Sequence, residues 1–245
     1  MNGAGNKRRG RALRPRLEKA LELLGSTDVL ADIGCDHGYF SLAALRKGCC
    51  ERIIAADISA PSLAKAEKHA VESGLGSRIS FRCGDGLSVL SPGEATAAVL
   101  LGMGGELIVS ILDAAKVTAQ GFERIVMQPM RGEAELRGYL LKSGYHIADE
   151  AVVFDAGRYY QLIAARYAPE EANAFPEGWP DGYYQFGACS LEKRDELMLP
   201  MMRRYLAIME NKLERAGKSG SVPPSLVREA ECTRKLMDLF EQTEE

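Results

Sequence analysis

The sequence predicts an α/β chain: a Rossmann-like, mostly parallel sheet with a terminal antiparallel hairpin, followed by a C-terminal α-helical coiled-coil hairpin. Three observations carry this. Five apolar runs each give way to a turn built on acidic residues, glycine or proline, at intervals that fit one open sheet. Two further runs, Ala148 to Phe154 and Tyr160 to Arg166, are joined only by Asp155-Ala156-Gly157-Arg158, short enough for a hairpin whose second strand runs antiparallel to the rest. Beyond residue 190, apolar residues recur at heptad-like steps.

Residues 1 to 11 hold three glycines and no apolar period, so disorder is expected there. Leu13, Leu17, Ala20, Leu21 and Leu24 then share one helical face, stopped by Gly25. The first strand, Val29 to Ile33, contains Asp32 and runs into Gly34-Cys35-Asp36-His37-Gly38, with a helix from about Tyr39 to Lys47. Glycine opens conformations closed to other residues and lets a ligand approach the main chain, so a ligand is expected over this turn. The second strand, Arg52 to Asp57, ends in an acid nineteen positions after Gly38, close to the spacing at which a carboxylate reaches the ribose hydroxyls of a nucleoside. A helix from Ser62 to Ser73 follows. The third strand, Ile79 to Cys83, leads into Gly84-Asp85-Gly86-Leu87, where Asp85 is placed to accept an exocyclic amine, although Gly-Asp-Gly is turn chemistry anywhere. The fourth, Ala97 to Leu101, empties into Gly102-Met103-Gly104-Gly105 at the sheet edge where ligands bind in open α/β folds. A helix from Glu106 to about Val117 comes next. The fifth strand, Arg124 to Gln128, is closed by Pro129, and a helix spans Glu133 to Lys142.

Residues 168 to 189 are a composition break, rich in Pro and Gly and carrying Phe175, Trp179, Tyr183, Tyr184 and Phe186, which reads as a linker packed back on the sheet. Two helices follow, roughly Leu191 to Ala216, with Pro200 placed to kink it, and Ser225 to Glu241. Met198, Met202, Tyr205 and Met209 form one seam, and Leu226, Ala230, Thr233, Met237 and Phe240 the other. The expected division is a basic flexible arm (1–12), a sheet domain (13–167), a linker (168–189) and a helical hairpin (190–245). Arg203, Arg204, Lys212, Arg215 and Arg228 decorate the hairpin among as many acids, so its outside is either an RNA-gripping face or a solvated surface.

Charge is nearly balanced, 31 Lys+Arg against 34 Asp+Glu, but residues 1 to 20 hold seven basic side chains and only Glu18 as acid. That asymmetry suits a polyanion partner, through counterion release, or simply a solvated tail. The six cysteines make no C-x-x-C pair and have no His at metal-ligand spacing, so no metal is expected and reduced, buried thiols are. No apolar run of membrane-spanning length is present, and the basic start lacks a signal-peptide core; a soluble, cytoplasmic protein is expected, with an organellar transit segment over residues 1 to 16 as the alternative.

Five β/α units closed by a hairpin are the layout of class I methyltransferases. Ala31 to Tyr39, Arg82 to Leu87, Leu101 to Gly105, Gln128-Pro129 and the helical hairpin together resemble the bacterial tRNA (adenine-22-N1)-methyltransferases from about Arg14 onward. Cys35 stands where that family more often has Ser, Gly38 where Ala is common, and Met130 where Asn is frequent. The resemblance implies S-adenosyl-L-methionine as cofactor and tRNA as partner, with a monomer favoured. Asp32 is expected to set cofactor geometry at the Gly34 and Gly38 turn. Asp57, with Ile58, is expected at the ribose, Asp85 and Gly86 at the adenine, and Gly102 beside the cofactor. The group expected at the reaction centre is Asp36, His37, Met103 and Gly104. Either Asp36 or His37 would touch the target base, or His37 merely caps the turn; Tyr160 lines the base pocket or belongs to the core. Three alternatives stand beside this: a small-molecule methyltransferase dimerising through the hairpin, an RNA-binding protein without catalysis, and, least favoured because Gly34 and Gly38 do not make G-x-G-x-x-G, a nicotinamide oxidoreductase.

Overall fold

The computed structural model describes residues 13–171, 180, 184–218 and 220–242. The expected arm and most of the aromatic cluster before residue 184 lie outside those residues. Among the described residues the sheet has seven strands: β1 (Thr27–Ile33), β2 (Cys50–Asp57), β3 (Ile79–Cys83), β4 (Ala97–Met103), β5 (Arg124–Pro129), β6 (Tyr145–Asp155) and β7 (Arg158–Tyr167). Their order is β3-β2-β1-β4-β5-β7-β6. Strands β1 to β5 pair in parallel, while β7 runs antiparallel to both β5 and β6, as the short 155–158 connection requires.

The chain builds outward from β1 to β3 and then crosses back to β4 on the other side of β1. That reversal sets the turns after β1 and β4 side by side, with Asp32 level with Val99 and Ile33 with Leu100. Helices α1 (Pro15–Leu24), α2 (Tyr39–Lys47) and α3 (Ala60–Glu72) cover one face, packing Leu21, Leu24, Phe40, Leu45 and Leu63 on Leu30, Ile53 and Val99. Helices α4 (Gly105–Ala114), α5 (Lys116–Gln120) and α6 (Glu133–Lys142) cover the other, where Ile108, Leu112, Leu136 and Leu140 meet Ile33, Leu100 and Ile125. Full burial of such side chains contributes about 1.5–3 kcal/mol each.

Two helices differ from expectation. The run Glu106 to Val117 is broken at Ala115 (φ −126°, ψ 46°), and the redirected turn of α5 brings Thr118 and Ala119 into the core. The expected helix from Leu191 is likewise two: α7 (Ala188–Glu192) and α8 (Met198–Lys218), paired with α9 (Pro224–Gln242). Arg194 takes a left-handed conformation (φ +55°) between them, and Asp195 receives the N–H groups of Leu197 and Val152, both at 3.0 Å. Pro200 therefore stands in the first turn of α8, not in a helix interior, and its missing N–H leaves no helical bond unmade there. Met198, Met202 and Met209 on α8 and Ala230, Thr233 and Phe240 on α9 are buried along the seam. At its base, Met198, Met202, Leu236 and Phe240 join Phe186, Leu191 and Val152 of β6, seating the hairpin on the sheet.

An ion pair fixes that junction. Arg137 of α6 donates through Nε to Glu150 of β6 at 2.7 Å, with both side chains buried, and through Nη2 to Gln161 at 2.8 Å. Its Nη1 donates to the carbonyls of Tyr184 and Gln185 at 2.9 and 3.0 Å, and the Cys189 N–H donates to Glu150 Oε2 at 3.1 Å. Thus the segment entering α7 is tied to the sheet through satisfied buried charge.

The candidate active-site edge

The turn after β1 is the most constrained loop of this edge. Gly34, Asp36 and Gly38 all have positive φ (72°, 48° and 72°), and Asp36, as an aspartate, is among the few side chains that tolerate it. A Cβ on Gly34 would lie 2.2 Å from Met103 Cε, so this turn and the end of β4 touch. Asp57 at the end of β2 binds the same turn: Oδ2 accepts from the Asp36 N–H at 2.9 Å and Oδ1 from the Ser59 N–H at 2.8 Å. Each oxygen has capacity for a further hydrogen bond, and Asp57 is only half-buried.

Asp32 lies beneath the turn, 4% exposed, with the Ser41 hydroxyl donating to it at 2.5 Å. Burial pushes its carboxyl up to about 6, opposed by the Ser41 hydrogen bonds. Asp36 is exposed and pairs with His37, Oδ1 to Nδ1, at 2.7 Å. The His37 carbonyl meets His69 Nδ1 at 3.1 Å, and the rings of His37, Tyr39 and His69 adjoin at 5.3–6.5 Å between centroids.

On the far side of β2, Asp85 is exposed, its carbonyl accepting the Ser88 N–H at 3.1 Å, and Ile58 is 74% exposed. So large an apolar side chain held in water beside two carboxylates is what a flat, polar-edged ligand needs. Cys83 is exposed there too, its thiol directed to the Ile58 carbonyl at 3.7 Å, which corrects the expectation of uniformly buried cysteines; Cys35 and Cys50 are buried. Burial holds the Cys50 thiol up to about 12 and the Cys35 thiol well above its ordinary range.

The turn after β4 is interlocked with the one after β5. The Gly105 N–H donates to the Arg131 carbonyl and the Met130 N–H to the Met103 carbonyl, both at 2.7 Å. A Cβ on Gly105 would sit 2.2 Å from the Gly132 oxygen, so only glycine fits. Above this turn Arg16 Nη1 donates to buried Gln128 Oε1 at 2.7 Å and its guanidinium carbon lies 5.5 Å from the Tyr160 ring centroid. Sequence reasoning counted Arg16 only among the seven basic residues of positions 1 to 20 and missed this link, although Gln128-Pro129 stood out as a motif and Tyr160 was a candidate. Asp36, His37, Met103, Gly104, Gly34, Gly38, Asp57, Ile58, Asp85, Gly86 and Gly102 all fall on the strand ends and turns of this one edge, and Asp32 lies under it. The edge thus offers three carboxylates, Asp36, Asp57 and Asp85, with Asp32 buried beneath, bare backbone at the glycines and exposed apolar Ile58, Tyr39 and Met130. Such a set suits a cationic nucleoside with free hydroxyls. Among the described residues no group of three or more His, Cys, Asp and Glu is placed to hold a metal, and no helix is long and apolar enough to cross a membrane.

Comparison with known proteins agrees with the geometry. The methyltransferase domain family matches residues 13–163. The tRNA (adenine(22)-N(1))-methyltransferase of Bacillus subtilis is 36% identical over 160 residues, which cover 65% of this chain and 67% of that protein. The crystal structure of the B. subtilis m1A22 tRNA methyltransferase TrmK superposes with a TM-score of 0.77 at 27% identity, over 94% of this chain and 98% of that one. A Streptococcus pneumoniae protein in complex with S-adenosyl-L-methionine has the same fold, with a TM-score of 0.79 at 22% identity over 91% and 98% of the two chains. With the strand order, the interlocked glycine turns and these matches in hand, the chain belongs to the methyltransferase domain family and, within it, to the tRNA (adenine(22)-N(1))-methyltransferases.

Proposed function

We propose that the chain methylates N1 of adenine 22 in tRNA with S-adenosyl-L-methionine as donor. The observation that carries this is the edge in which Asp57 ties the glycine turn to β2 while a bare glycine turn ends β4. The residues fit the donor. Gly34 has no side chain to fill the cradle, Ile58 presents an apolar face, and Asp57 and Asp85 offer free acceptor positions for a ribose diol and an adenine amine. Asp32, through its burial under the turn, and Asp36 give the site negative charge toward a sulfonium. When bound, the donor supplies an electrophilic methyl carbon.

The chain's own task is then mostly positioning. Adenine N1 carries an available lone pair at neutral pH, so no strong base is needed, and alignment alone can contribute about 7–11 kcal/mol. N1 is hidden in a paired duplex, so the base has to be turned out of its stack onto the Gly102–Gly104 floor. Methylation leaves a cationic ring. Asp36, braced by His37, and the carbonyls of the β4 turn are the groups we assign to that charge, with Met103 packing the turn against Gly34. We assign residues 13–167 to catalysis and the hairpin from residue 190 to holding tRNA, in a cytoplasmic monomer.

The test is an unmodified tRNA transcript with adenine at position 22, incubated with protein and donor, digested to nucleosides and read by mass spectrometry. 1-Methyladenosine is expected, and a transcript with another base there should give none. Donor binding without any methylated nucleoside over a range of tRNAs would refute the substrate.

A further inference from the structure

We propose that Arg16 and Arg131 form a cationic clamp on the two phosphodiesters that flank the nucleotide being modified; this rests on the reading of the chain as a tRNA methyltransferase. The two guanidinium groups stand at opposite ends of the turn after β4. A Cβ built on Gly102 would lie 3.7 Å from Arg16 Nη1, and one built on Gly104 3.8 Å from Arg131 Nε. They come from α1 and from the connection between β5 and α6, so tertiary structure alone brings them to this turn.

Each is anchored in a way that leaves donors unused. Arg16 donates Nη1 to Gln128, whose amide is fixed in turn by its Nε2 bond to the Pro129 carbonyl at 2.7 Å. The Arg16 Nε is buried without a hydrogen-bond partner, 3.7 Å from Asp155, whose closer partner is Arg14 at 3.0 Å. Arg131 is exposed and has no ion pair among the described residues, while its carbonyl is held by the Gly105 N–H. Between the two lies a floor without side chains at Gly102 and Gly104.

The chemistry selects phosphate over the base itself. A guanidinium is donor-only and always charged, so bonding it to the adenine ring would oppose the positive charge that methylation creates there. Phosphodiester oxygens are anionic and match the guanidinium fork. A nucleotide turned out onto the floor carries one phosphate on its 5′ side and one on its 3′ side, which matches one cation at each end.

The experiment is steady-state kinetics on the unmodified tRNA transcript at several KCl concentrations, for wild type, Arg16→Gln, Arg131→Gln and Arg131→Lys, with calorimetry of S-adenosyl-L-methionine binding. Each Gln variant is expected to raise the tRNA KM about tenfold with kcat nearly kept, and to flatten the slope of log(kcat/KM) against log[KCl] by about 0.7–0.9. Arg131→Lys should retain the wild-type slope, and donor affinity should be unchanged throughout. Because Arg16→Gln also loosens α1, the exposed Arg131→Gln decides: a slope equal to wild type overturns the clamp while leaving the methyltransferase reading intact. A wild type that forms no 1-methyladenosine overturns the reading on which the clamp rests.

Discussion

Arg137 and Glu150 in the sheet domain meet at 2.7 Å with side chains 3% and 2% exposed; Arg203 and Glu241 on the helical hairpin meet at 2.8 Å with 61% and 46% exposed. The distances are nearly the same and the consequences are opposite. Removing one partner of the buried pair strands a charge away from water, whereas the exposed pair is hydrated either way. The same contrast runs through both regions. Around the sheet, charged groups hold main chain: Asp57 binds two N–H groups, Glu150 one, and Arg137 two carbonyls. On the hairpin, the pairs Arg203–Glu241 and Arg234–Glu210 join one exposed side chain to another. Charge therefore holds main chain throughout the sheet edge, whereas on the hairpin such exposed pairs stand beside single ties, Arg204 to the Gly157 carbonyl at 2.8 Å and Arg194 to the Phe240 carbonyl, and a methionine-rich seam supplies the buried contact.

The largest effect should come from Arg137→Ala. Loss of a partner to buried Glu150 is expected to cost about 3–5 kcal/mol, read by urea unfolding. A cost under about 1 kcal/mol would erase the contrast.

Next is Asp32, whose raised carboxyl gives a pH signature. The folded chain keeps this proton longer than the unfolded one, so the contribution to stability is whole below the unfolded value near 4 and is lost as pH rises through about 6. Asp32→Asn should remove that loss, gaining up to about 3 kcal/mol relative to wild type at pH 8 with a smaller gap at pH 5. A constant gap across that range would sink the assignment. Donor affinity of the wild type should fall below pH 6, since a neutral Asp32 no longer attracts a sulfonium.

Asp57→Ala removes an acceptor from the site and two ties from the turn. Donor binding by calorimetry should weaken about a hundredfold, near 2.7 kcal/mol, with the sheet still folded. Unchanged binding would contradict the role given to this carboxylate. The smallest effect is expected for Arg203→Ala, below about 1 kcal/mol in unfolding and shrinking further in salt. A larger loss would mean that hairpin charges carry structure as sheet charges do.

What the sequence made legible follows from range. The strand ends could be read because acid, glycine and proline sit where backbone hydrogen bonding stops, and the 155–158 hairpin because its length allows little else. The break at Ala115 and the left-handed Arg194 could not, since both answer to the packing of Thr118, Ala119 and Asp195 against distant strands. At the site, Asp57 could be found by its spacing from Gly38, but its grip on the Asp36 N–H could not. Arg16 and Gln128 lie 112 positions apart, and no local period marks such a pair.

The tie between Arg137 and the carbonyls of Tyr184 and Gln185 also says where the gene can be divided. A stop placed after Tyr167, the last residue of β7, would look reasonable on composition, yet it would strip a buried guanidinium of two acceptors and uncover Val152. A boundary that keeps these ties lies beyond Asp195, whose carboxylate holds the Val152 N–H, and even there Phe186, Leu191 and Val152 need a replacement for the cover given by Met198, Met202, Leu236 and Phe240, so a stretch that reads as a mere spacer belongs with the sheet.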